Sequence, residues 1–127
     1  MAVATPAVAP WLQLPDIAGA HTYHHPPTGA LMVPAVVYRA DQPWIERQQT
    51  FQRWVENYVA VCVVAASSGA DGVQLLYDLT LAVKAAIDGD RAMSAWEWKG
   101  ADAIVETEQA GITYLACSVR LSFRAEY

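Results

Sequence analysis

The chain has 127 residues, a formal net charge of −5, 54% apolar residues and 17% charged ones, which excludes a disordered chain and fits one domain able to bury a core. Eight Lys and Arg against thirteen Asp and Glu argue against a protein that grips nucleic-acid phosphates, because that needs concentrated cations. No stretch reaches the roughly 18 apolar residues of a membrane span, and the opening MAVATPAVAPWLQLP lacks the basic start of a signal peptide, so the expectation is a soluble, cytoplasmically made protein with no membrane partner.

Pro6, Pro10, Pro15, Pro26 and Pro27 forbid a continuous helix over residues 1–30 and remove backbone donors from any sheet there. This part is expected to be an extended arm with a single turn of helix around Val8–Leu14. Trp11, Leu12, Leu14 and Ile17 give it apolar anchors for the body or for a neighbouring subunit.

The run Leu31–Arg39, LMVPAVVYR, is β-branched and aromatic, and Pro34 predicts an edge strand or pairing on one side only. Asp41-Gln-Pro43 predicts a turn. The run Arg53–Ala65, RWVENYVAVCVVA, is apolar on both faces over Val59–Val64, which predicts a central strand covered on both sides along that half. Asp71, closing the loop that begins at Ser67, predicts an N-cap. Leu75, Leu76, Leu79, Ala82, Val83, Ala86 and Ile87 then fall at helical spacing, predicting a helix over 72–87 that a left-handed Gly89 stops.

Ala95–Lys99 and Ala103–Glu108 are expected to form one strand bent at Gly100. From Thr113 to Tyr127 the odd residues are mostly apolar (Leu115, Cys117, Val119, Leu121, Phe123) and the even ones polar or basic (Ser118, Arg120, Ser122, Arg124). That alternation predicts a long half-buried strand. Placing Val105 opposite Cys117 on the apolar face requires partners whose numbers sum to 222, hence an odd, three-residue turn at Gly111. The same register sets Asp102 opposite Arg120, and Trp98 opposite Arg124 if Gly100 does not bulge. The helix is the expected cover of the apolar face.

Cys62 and Cys117 lie in apolar strands and are expected to be buried thiols. His21, His24 and His25 are the one histidine cluster, but their spacing ahead of Pro26-Pro27 favours a solvated arm over a metal site. Glu56, Glu106 and Glu108 are the carboxylates available for acid–base work and are expected to be solvated on strand faces. With no nucleophile elbow and no phosphate loop, an enzyme is not expected, nor a cofactor. Trp96 and Trp98 share a face and are expected to pack on the body or on another subunit.

In order, then, come a proline-broken arm, a PAVVYR strand, the RWVENYVAVCVV strand, a DG-capped helix, a W-x-W-x-G strand, a glycine turn and the closing YLACSVRLSFRAEY strand. Over residues 31–127 this order resembles the tail-terminator, or tail-completion, proteins of long-tailed bacteriophages. The proline-rich start departs from that family, which usually opens with an amphipathic helix. The resemblance implies a single α/β (α+β) domain over residues 31–127, a mainly antiparallel sheet with helix packed on one face, beyond the arm at 1–30.

It also implies a virion protein without catalysis, assembling as a ring, generally hexameric, that caps the tail tube, halts tube and sheath growth and offers its other face to the head connector. Partners would be copies of itself, the tail tube protein, the head–tail connector or neck protein and the sheath protein, with DNA passing through the lumen unbound, as the acidic balance suits. Such a protein would reside at the tail–neck junction of the virion. The alternatives are a head-completion or neck protein docking on the portal, and a small ligand-binding or enzyme domain. The family supplies no residue signature, so the interface candidates come from the residues themselves: Trp44, Trp54, Arg120 and Arg124.

Overall fold

In the computed structural model, which describes residues 3–4, 8–48, 52–90 and 93–126, the last strand organises the molecule. Pro6 and Tyr127 lie outside the described residues. The strands are β1 (Val3–Ala4), β2 (His21–Tyr23), β3 (Ala35–Arg47), β4 (Arg53–Ala65), β5 (Trp96–Ala101), β6 (Val105–Gln109) and β7 (Ile112–Glu126), with one long helix, α1 (Gly69–Asp88). The sheet runs β7-β4-β3-β2, and β1, β5 and β6 share the outer edge of β7. β4 pairs antiparallel with β7 along its whole length, from Arg53 opposite Glu126 to Ala65 opposite Tyr114. The fold is α+β in one domain, a mainly antiparallel sheet with one helix on one face.

The alternation in β7 decides where α1 sits. Cys117, Val119, Leu121 and Phe123 join Tyr58, Ala60, Cys62 and Val64 of β4 on one face, and Leu76, Leu79, Val83 and Ile87 of α1 close over them. Leu75, expected on that face, is instead turned toward solvent. The helix begins at Gly69, so Asp71 lies within its first turn and does not cap it. There its charge still complements the helix dipole. Gly89 does follow the helix and its N–H bonds the Ala85 carbonyl (2.9 Å), but it is not among the residues with positive φ.

The arm is part of the body. A short 3₁₀ turn, Pro10–Gln13, leads to Leu14 and Ile17, which are buried in the same core. The Tyr38 hydroxyl donates to the Pro15 carbonyl (2.7 Å) and the His21 N–H to the Pro34 carbonyl (2.9 Å), fixing the arm at two points. On the opposite face of the sheet Ala35, Val63, Tyr114 and Ala116 form a second cluster under Tyr23, Leu31 and Val33. The later half of β4 is thus covered on both sides, as its sequence predicts.

Pro34 precedes β3 and does not place it at an edge there, because β2 pairs in parallel with Ala35–Val37. Nor does Asp41-Gln-Pro43 turn the chain. β3 continues to Arg47, with its register shifting between Ala40 and Ile45. Asn57 Nδ2 donates to the Pro43 carbonyl (3.0 Å) and the Gln42 N–H to Asp41 Oδ1 (2.8 Å), so local side chains satisfy backbone groups that the ladder misses.

The segment after the helix forms two strands. β5 bulges between Trp98 and Gly100, Trp98 faces Leu121 rather than Arg124, and residues 102–104 separate β5 from β6. The β6–β7 register also differs from expectation. Glu106 pairs with Leu115 and Val105 with Ala116, a sum of 221, through the two-residue turn Ala110-Gly111 with φ values of 53° and 78°. Residues 105–108 are exposed on both faces of β6, so no apolar face exists there to set the register. The mirror-image turn sets it instead.

Candidate interface surfaces

The four interface candidates fall on two surfaces. By strand alternation Arg120 and Arg124 point to the face of the sheet opposite α1, with Ser122 buried between them. Arg120 Nε lies 3.4 Å from Asp102 Oδ1, an ion pair about half exposed on both sides. The expected contact therefore forms, though Gly100 and not Asp102 stands directly opposite Arg120. A side chain at Gly100 would meet the guanidinium at 3.3 Å, so glycine lets the arginine lie across β5. Arg124 is partly buried, and its Nε has no hydrogen-bond partner among the described residues.

Trp44 and Trp54 sit together on the α1 side, around Glu56. This carboxylate is only 6% exposed, contrary to the solvated strand-face position its sequence suggests. The Trp54 indole donates to Glu56 Oε2 (3.0 Å) and the Tyr58 hydroxyl to Oε1 (2.5 Å). Two neutral donors hold the carboxyl in a cluster where Tyr58 packs on Trp11 (6.0 Å between ring centroids) and Trp96 (5.4 Å). Burial and the Glu56 hydrogen bond push the Tyr58 hydroxyl well above its usual pKa. Both indoles are thereby tied to their own chain, Trp54 to Glu56 and Trp44 to the Tyr58 hydroxyl, and Trp44 keeps 48% of its surface exposed. Glu106 and Glu108 are exposed on β6.

Of the histidines, His24 serves the arm. His24 Nε2 donates to the Leu14 carbonyl (2.8 Å), and its ring rests on Tyr38. Cys62 and Cys117 are free, buried and directly opposed between β4 and β7. Burial, followed by the neighbouring Cys117, pushes the Cys62 thiol up to about 12. Trp96 is buried against Phe123 (5.1 Å), and Trp98 lies with Lys84 Nζ 5.6 Å above its ring.

Sequence reasoning missed one surface. An apolar groove of about 440 Å³ opens between α1 and β5, lined by Val73, Tyr77, Leu81, Trp98, Ile104 and Cys117. Its signal is a second apolar row on the helix, Val73, Tyr77 and Leu81 at i, i+4 and i+8, beside the stronger row that faces the core. Tyr77 is 60% exposed. The outer edge of β5, alongside this groove, pairs with no strand among the described residues. The sequence matches no protein-family model and shows no significant similarity to a curated protein.

Proposed function

We propose that the protein is a structural component of a long-tailed bacteriophage that forms a ring, caps the tail tube, ends its polymerisation and presents a surface to the head connector. The observation that supports this reading most is architectural. The elements that carry the sequence resemblance, from the strand at Ala35 to the strand ending at Glu126, occur in that order as a single sheet with one helix on one face. Large exposed apolar side chains, among them Trp44, Ile45, Tyr77 and Leu81, suit a subunit of an assembly better than a lone monomer.

In this role the work is done by surfaces. One ring face matches the tube end, and the other does not reproduce the surface that recruits a further tube subunit, so growth stops. The experiment is negative-stain microscopy of tails assembled without the protein. Tubes of uncontrolled length support the reading; tails of normal length lacking only the head joint overturn it in favour of a neck protein.

A further inference from the structure

Cys62 of β4 and Cys117 of β7 are the protein's two cysteines, and the fold sets them directly opposite one another in an antiparallel pair. Both side chains belong to the core under α1, so both project from the same face of the sheet. Opposed residues of such a pair stand about 4.5–5.5 Å apart at Cα, inside the range of about 4.4–6.8 Å that a disulfide spans. Thr80 of α1 touches both thiols, with its Oγ1 3.9 Å from Cys117 Sγ and in a hydrogen bond with Cys62. The two sulfurs thus share one neighbour.

The pair is not symmetric. Cys62 has no exposed surface, and a thiol enclosed in apolar surroundings is inert toward solutes. Cys117 lines the groove between α1 and β5, beside Tyr77, Leu81, Trp98 and Ile104, and keeps 6% of its surface exposed. The apolar walls suit a small neutral oxidant better than a charged one. Burial also holds the proton of Cys62 tightly, its thiol being pushed up to about 12. Cys117 is therefore the thiol that an oxidant meets first.

We infer that Cys62 and Cys117 are an oxidisable pair, in which hydrogen peroxide entering the groove oxidises Cys117 and Cys62 resolves the product into a disulfide that locks β4 to β7. In the first step the Cys117 sulfur attacks one peroxide oxygen. The S–O bond forms as the O–O bond breaks, and the departing hydroxide takes the thiol proton and leaves as water. In the second step the Cys62 sulfur attacks the sulfenic sulfur of Cys117. The S–S bond forms as the S–O bond breaks, and the hydroxyl leaves as water with the Cys62 proton. Two thiols give up two electrons and one peroxide becomes two waters.

The bond closes residues 63–116, which hold α1, β5 and β6, into a covalent loop and so restricts the unfolded chain. It also consumes the Cys117 S–H that donates to the Asp102 carbonyl (3.2 Å) at the groove. This chemistry lies within one chain and is independent of any role in capping tails.

The test exposes the native protein to hydrogen peroxide, unfolds it, alkylates the remaining thiols, digests it and maps the peptides by mass spectrometry, with and without dithiothreitol. The wild type should yield a peptide carrying Cys62 joined to one carrying Cys117, at one chain mass on a non-reducing gel, and dithiothreitol should return both thiols. The oxidised wild type should show a higher urea midpoint than the reduced protein. In Cys62→Ser, checked for folding by circular dichroism, Cys117 should halt as a sulfenic acid that dimedone captures. In Cys117→Ser, Cys62 should stay reduced. The pairing is overturned if the native wild type forms no linked peptide, if the link joins two chains, or if Cys62 in Cys117→Ser oxidises as fast as in the wild type. The wild-type result decides even where a variant fails to fold. A linked protein whose urea midpoint is unchanged or lower overturns the lock between the strands.

Discussion

The Tyr58 hydroxyl donates to Glu56 Oε1 from two residues along the same face of β4, so a buried carboxylate and a buried phenol share one site. Tyr58→Phe keeps the ring and leaves Oε1 short of a donor where water does not reach it freely. The expected cost is about 1–3 kcal/mol, read as a lower urea midpoint at unchanged slope. A midpoint equal to wild type would mean that the carboxyl finds another donor.

Alkaline pH should unfold the protein progressively. Tyr38, Tyr58 and Cys62 all hold their protons more tightly in the fold than their ordinary values of 10.0, 10.0 and 9.0, chiefly because they are buried. Groups raised in this way contribute stability that is complete below the unfolded value and lost as pH rises toward the folded one. The window therefore opens near pH 9 with Cys62 and widens near pH 10 with the tyrosines, at about 1.4 kcal/mol per pH unit for each group. Urea midpoints measured from pH 7 to 11 should fall across this range, and Cys62→Ala should delay the fall by about one pH unit, the gap between ordinary thiol and phenol values. A flat profile would show that these groups titrate alike in both states.

Ala110 occupies a left-handed position that a non-glycine side chain rarely takes, with φ of 53°. Ala110→Asn, giving the Asn-Gly pair that such turns favour, should raise the thermal midpoint by an amount equivalent to about 0.5–1 kcal/mol. Gly111→Val should lower it by more. If both changes are neutral, the turn does not set the hairpin register.

Leu75 and Leu76 are adjacent leucines with opposite assignments. Leu76 is fully buried against the sheet, whereas Leu75 faces outward. Leu76→Ala is expected to cost about 2–5 kcal/mol and Leu75→Ala less than about 1 kcal/mol. Equal losses in denaturant titrations would contradict the face α1 presents.

Much of this architecture is legible in the residues. The period of two in the closing strand, the two-sided apolar run in β4 and the helical spacing of Leu76, Leu79, Val83 and Ile87 each report burial on a known face, and burial is what sequence patterns encode best. The failures have a shared cause. In β6, and in β3 beyond Ala40, side chains on both faces meet solvent, so an argument from hydrophobic faces had nothing to act on. A two-residue turn and a register shift prevailed there. Glu56 was illegible for another reason, since its donors Trp54 and Tyr58 read as ordinary strand residues until the strand aligns all three on one face. The groove row Val73, Tyr77 and Leu81 was present in the sequence but overshadowed by the row beside it.

β7 lends one edge to β4 and the other to β1, β5 and β6. Segments from the start, middle and later part of the chain all wait for this strand, and on the ribosome it emerges after every one of them. Before then β4 has β3 alone as a strand partner, and the core face under α1 lacks its Val119–Phe123 wall. Acquisition of the native sheet therefore waits until β7 has been made, with most pairings distant in sequence and slow to find.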